Sequence, residues 1–173
     1  VHLLGLANPP PESLGLARRP GGDALLAAFG AAAQAGPLAY VPNEKSATLS
    51  VIDTSTDARQ ADIPAGQRPR GIATDGKHLY ISEAPSNSLV VVDIDKAKQV
   101  KSIRLGESPE GVSVSADHRL IAAAVEESNS VVVLDARKRK QLAEIKVEGE
   151  NPEHAVFSPD GRLLYVSAEE AEQ

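Results

Sequence analysis

The chain has 173 residues, 42% of them hydrophobic, with 18 basic against 24 acidic side chains and a formal net charge of −6. That balance argues against nucleic acid or an anionic membrane surface as the main partner, since both need clustered Lys and Arg. Cys, Met and Trp are absent and aromatics make up 3%, which excludes disulfides, thiolate metal sites, a nucleophilic Cys and the covalent attachment of c-type haem.

Residues 1–37 differ from the rest of the chain. They hold five of the twelve prolines, only four charged side chains and no period-two alternation. Arg18-Arg19 precede an apolar run at 25–33 (LLAAFGAAA), and Ala33-Gln34-Ala35 has the small-x-small form of a secretory cleavage site. The segment reads as a leader: a signal peptide cut near Ala35, or else disordered chain. Its apolar run is about half of the ~20 residues a bilayer needs, so no membrane span is expected.

From residue 38 the chain repeats itself. LAYVPNEKSATLSVIDT, HLYISEAPSNSLVVVDI and RLIAAAVEESNSVVVLDA are successive versions of one pattern, and RLLYVSAEEAEQ opens a fourth. Asp53, Asp93 and Asp135 are 40 and 42 apart; Pro69, Pro109 and Pro152 are 40 and 43 apart; Asp75, Asp117 and Asp160 are 42 and 43 apart. Each unit has four short apolar runs broken by turn residues, which predicts four strands per unit of ~41 residues, the mark of a β-propeller. Helical solenoids would need apolar spacing of three and four over ten or more positions, and none is present.

In the second unit the strands are expected near residues 70–74 (A), 78–82 (B), 88–94 (C) and 99–103 (D). Asp75-Gly76 and Asp160-Gly161 signal tight A–B hairpins with positive φ at Gly. The repeated Asp at the end of strand C is expected to accept backbone N–H groups and close the C–D turn, a structural role. The basic run 137–140 reads as a solvated turn. The fold class is therefore all-β, an open arc of four-stranded antiparallel blades. It comprises an incomplete blade at 38–66 without strand A, full blades at 67–107 and 108–149, and an incomplete blade at 150–173. A closed seven-bladed ring would need about 290 residues, so further blades are expected beyond these, and an isolated arc is expected to associate edge to edge.

LYIS, LLYVS, SVIDT, RPRGIA and FSPDGRLLYVS, recurring in register over residues 38–173, resemble the YVTN family of β-propeller repeats. NEKSATLSVIDT followed by RPRGIA is similar to bacterial propellers encoded beside PQQ-dependent alcohol-catabolism systems. The resemblance implies an exported protein, periplasmic or secreted, acting as a non-catalytic binding or scaffold module. The third unit departs from it with LIAAAV, and the first A–B segment, IATDG, lacks Ser-Pro. Lactonases and haem-bearing oxidoreductases use similar propellers, so an enzyme whose site is completed by other blades is the alternative.

In propellers the D–A and B–C loops emerge on one face, which commonly carries binding. Here the D–A loops hold Arg68 and Arg70, then Glu107 and Glu110, then Glu150, Glu153 and His154, while the B–C loops add Glu44 and Lys45, then Glu83, then Glu126 and Glu127, then Glu169 and Glu170. That face is acidic with one basic corner, suited to a protein or a small polar ligand. Arg68, Arg70, Glu110, Glu153 and His154 are the candidate ligand-binding residues. Arg68 and Arg70 flank Pro69 and are expected to point to one side of the channel mouth, to pair with Glu110 of the next blade or to hold an anion. Pairing is favoured because it needs no ligand. His2, His78, His118 and His154 lack the spacing of a metal pair, and no nucleophile, phosphate-loop or dinucleotide motif is present. No catalytic residue, metal or cofactor is expected from these residues.

Overall fold

In a computed structural model the described residues are 5–7 and 37–170, and their regular elements are strands throughout. The apolar run at 25–33 and the cleavage-like 33–35 lie outside them. Blade 1 comprises β1 (Gly5–Ala7), β2 (Leu38–Asn43), β3 (Thr48–Asp53) and β4 (Ala58–Pro64). Blade 2 comprises β5 (Pro69–Thr74), β6 (His78–Glu83), β7 (Ser88–Asp93) and β8 (Lys98–Arg104). Blade 3 comprises β9 (Pro109–Val114), β10 (Leu120–Val125), β11 (Ser130–Asp135) and β12 (Lys140–Lys146). A half-blade, blade 4, follows with β13 (Glu150–Phe157) and β14 (Leu164–Glu170).

Each sheet is an antiparallel meander in chain order. The sequence assigns no strand A to blade 1; β1, from the N-terminal 37 residues, occupies that place and pairs with β2 through Gly5↔Tyr40, Leu6↔Ala39 and Ala7↔Leu38.

Period-two alternation is hard to see in the inner strands because both of their faces are buried. In blade 2, Leu79, Ile81, Val90 and Val92 pack on Tyr40, Leu49 and Val51 of blade 1. The alternate residues Tyr80, Leu89 and Val91 pack on Val112, Ile121 and Ala123 of blade 3. A third seam joins Ala122, Ala124 and Val131 to Ala155 of the half-blade. The outer strands β4, β8 and β12 are almost wholly exposed, so the core consists of the seams between blades.

The turns behave as their residues dictate. Asp75 accepts backbone N–H bonds from Lys77 and His78 at 2.8 and 2.6 Å, and Asp117 and Asp160 accept them from Arg119 and Arg162. Gly76 and Gly161 have φ of +86° and +69°, and His118 takes the same turn position at +56°, a left-handed conformation that costs a side chain roughly 1–2 kcal/mol. At the ends of strands C, the carboxylates of Asp53, Asp93 and Asp135 accept from the amides of Ser55, Lys96 and Lys138.

Candidate functional site

The site lies where the inner strands of blades 2, 3 and 4 come together. Two residues after the D–A proline, blades 2 and 3 have Gly71 and Gly111. A Cβ on Gly71 would sit 2.3 Å from the carbonyl oxygen of Glu110, and one on Gly111 would sit 2.6 Å from that of Glu153. Only glycine permits neighbouring strands A to approach this closely. Hydroxyls hold the seams: Ser82 Oγ accepts from the Gly71 amide at 2.7 Å and donates to the Glu110 carbonyl, and Ser113 Oγ donates to the Ala155 carbonyl at 2.6 Å.

At the same level the A–B pairing of blade 2, blade 3 and the half-blade loses register, between Pro69 and Ile72, at the facing Ala123 to Val125 step, and between Pro152 and His154. Such bulges re-aim side chains. Arg70, Glu110 and Glu153, each one residue after its proline, fall in these irregular steps and turn toward a cavity of about 290 Å3. Glu44, from the B–C loop of blade 1, and His154 join its polar lining, while Ile72, Val112, Ala155 and Val156 supply apolar wall.

Arg70 Nε donates to Glu110 Oε2 at 2.8 Å, and Arg70 Nη1 lies 3.6 Å from Glu44 Oε1. The Glu110 side chain is only 6% exposed. Burial pushes its carboxyl up to about 7; the Arg70 hydrogen bond and charge pull it down, and the nearby Glu153 and Glu126 charges raise it further. For Arg70, burial acts to lower the guanidinium, but the Glu110 hydrogen bond and the Glu110, Glu44 and Glu153 charges leave it above its ordinary value. The pair is thus an ion pair in a strongly negative neighbourhood. Next to it, carboxylate oxygens of Glu126, Glu153 and Glu169 lie within 4.8 Å of one another.

The structure brings four of the five candidate residues, Arg70, Glu110, Glu153 and His154, to one cavity. Arg68 is not in its lining. It sits in the D–A loop with φ of +48°, which breaks the extended run that would have aligned it with Arg70. Its guanidinium instead donates through Nε and Nη2 to Glu44 Oε1 at 3.0 and 2.7 Å, so the two arginines still converge on one carboxylate. Glu44 is the charged lining residue outside the candidate set read from the sequence. Its signal was available: Glu44, Glu126 and Glu169 recur at the start of successive B–C loops, with Ala84 the exception.

The three described histidines do not converge. His78 lies between blades, with Nδ1 3.2 Å from Asp75 Oδ2 and Nε2 3.0 Å from Arg139 Nη2. Since Arg139 can only donate, Nε2 accepts and Nδ1 carries the proton. His118 occupies a turn, and His154 alone of the described histidines lines the cavity.

Stacked four-stranded meanders with their innermost strands along one axis define a β-propeller. The family model described as "Lactonase, 7-bladed beta-propeller" matches residues 28–146, and the chain belongs to that family. Among solved structures it is similar to Kuenenia stuttgartiensis hydrazine synthase, at 24% identity and a TM-score of 0.73, over 79% of this chain and 40% of that one. It is also similar to the dihydro-heme d1 dehydrogenase NirN in complex with DHE, at 20% identity and a TM-score of 0.61, over 75% of this chain and 30% of that one. These likenesses concern the fold, and the chain spans well under half of either protein. No curated protein matches it.

Proposed function

We propose that the chain is part of an exported YVTN-type propeller that works as a non-catalytic binding or scaffold module, with the cavity at its channel mouth taking a small polar ligand. One observation carries the reading. Charged groups from strands A of blades 2, 3 and 4 and from one B–C loop converge on a space of about 290 Å3 that also has an apolar wall, the combination small-molecule sites use. Arg70, Glu110, Glu153 and His154 are its binding residues, and Arg68 orients Glu44. The likeness of NEKSATLSVIDT and RPRGIA to propellers encoded beside PQQ-dependent alcohol-catabolism systems supports a periplasmic or secreted role there.

The family membership favours a second reading, an enzyme acting on lactones. Both readings are tested together by following γ-butyrolactone and gluconolactone hydrolysis in a pH-stat, and by amide NMR of the chain with sets of small cations, anions and neutral polyols. The binding reading expects hydrolysis at the uncatalysed rate and shifts confined to amides around Gly71, Gly111 and Ser113. Turnover that disappears in His154→Ala would establish the enzyme instead.

A further inference from the structure

Arg70, Glu110 and Glu153 occupy one position in three successive repeats, so the charge around the mouth runs positive, negative, negative. In blade 2 the guanidinium answers two carboxylates, Glu110 at 2.8 Å and Glu44 at 3.6 Å. In the half-blade the corresponding residue is Glu153, which stands beside Glu126 and Glu169. None of these three takes part in an ion pair of 4 Å or less among the described residues. The lining carboxylates Glu44, Glu110 and Glu153 therefore face two guanidiniums that are both already engaged, Arg70 with Glu110 and Arg68, just outside the lining, with Glu44, and Glu153 is left without one among the described residues.

Resting on the reading of this cavity as a ligand site, we infer that its ligand is a small organic cation, an ammonium group on a short apolar body. An anion would have to take Arg70 from Glu110 while facing Glu153. A bare metal ion fits poorly, because Ca2+ wants roughly 6–8 oxygen ligands at about 2.3–2.6 Å and much of this wall is carbon. An ammonium brings three donors and no acceptor, matching a rim of carboxylate oxygens. Its body would lie on Ile72, Val112 and Val156, in a volume with room for on the order of ten heavy atoms at ~30 Å3 each. The Glu110 carboxyl is raised chiefly by burial, and the Glu153 and Glu126 charges add to that rise, in the sense a nearby cation would relieve.

The test is amide NMR titration of the full chain with n-butylammonium chloride, sodium butyrate and calcium chloride at constant ionic strength. The expected result is a saturating shift of the Gly71, Gly111 and Ser113 amides with n-butylammonium, weakened roughly tenfold or more in Glu153→Gln, the scale of a lost charged hydrogen bond. The amide spectrum of the variant shows at once whether it is folded, and Glu44→Gln provides a second variant in which weakening is expected. Butyrate shifting the same amides, with the effect lost in Arg70→Gln, would overturn the cation while keeping the cavity as a ligand site. Calcium saturating around Glu126, Glu153 and Glu169 with no ammonium response would overturn it in favour of a metal. Silence from all three probes would remove the cation, and silence from the neutral polyols as well would remove the ligand-site reading.

Discussion

Tyr80 and Tyr165 stand at the same place in their repeats, each facing the fourth residue after a strand A proline, Ala73 in one blade and Val156 in the other. Tyr80 is 0% exposed and Tyr165 is 60% exposed. Tyr80 packs against Val112, Ile121 and Ala123 of blade 3, and its hydroxyl donates to Asp75 Oδ2 at 2.8 Å. Leu163 and Tyr165 of the half-blade, on the face that in blade 2 meets the next blade, are exposed, and among the described residues no sheet covers that face. A propeller blade thus gains most of its burial from its neighbours, and an identical residue is core or surface according to whether a neighbour is there.

Mutation of the two tyrosines should break the comparison most forcefully. Tyr80→Ala should cost about 3–5 kcal/mol, whereas Tyr165→Ala should stay within about 0.5 kcal/mol, read as shifts in the urea midpoint. Equal losses would mean that the half-blade is covered in solution, by a second copy or by other blades.

The seam glycines extend the contrast at a smaller scale. Gly71 and Gly111 lie under the next blade's backbone, whereas the third repeat has His154 at this position. Gly71→Ala places a methyl against the Glu110 carbonyl and should destabilise by about 1–3 kcal/mol through overpacking. His154→Gly relieves nothing comparable and should change stability by no more than about 1 kcal/mol, the cost of a more flexible strand. Thermal unfolding of both variants checks this.

The smallest effect is one of pH. The Glu110 carboxyl is raised from 4.5 to about 7 in the folded chain, so the native state binds its proton more tightly than the unfolded state. Its contribution is full below pH ~4.5 and is lost as pH rises through ~7. Asp75, Asp93, Asp117 and Asp160 are instead held below their ordinary value of 3.8, so their contributions are already complete throughout that window and do not mask it. Wild type should lose on the order of 2 kcal/mol between pH 5 and pH 8, and Glu110→Gln should flatten that slope in urea titrations at the two pH values. An unchanged slope would place the proton elsewhere.

Much of the blade was legible in the residues. The strands expected at 70–74, 78–82, 88–94 and 99–103 correspond to β5 through β8 within one or two residues. The C–D turn aspartates bond backbone amides as expected. Pairing of Arg70 with Glu110 was also legible, since both come directly after the same proline in adjacent repeats. Less so was Arg68, whose left-handed backbone turns it out of the cavity lining and toward Glu44 of the preceding blade. Nor was β1 expected, because GLA carries no repeat signal.

The sequence by itself determined the period, the four strands of each repeat and the residue at each turn, because turn chemistry and strand preference act over a few neighbouring residues. It also placed one charged residue after each inner proline. Only the tertiary structure decided that Glu44 reaches Arg70 across a seam, that the bulges aim Arg70, Glu110 and Glu153 into one cavity, and that Tyr165 remains exposed where Tyr80 is buried. Those outcomes depend on how one sheet stacks on the next. Residues some forty positions apart meet there through backbone approach and register shifts that no local pattern encodes.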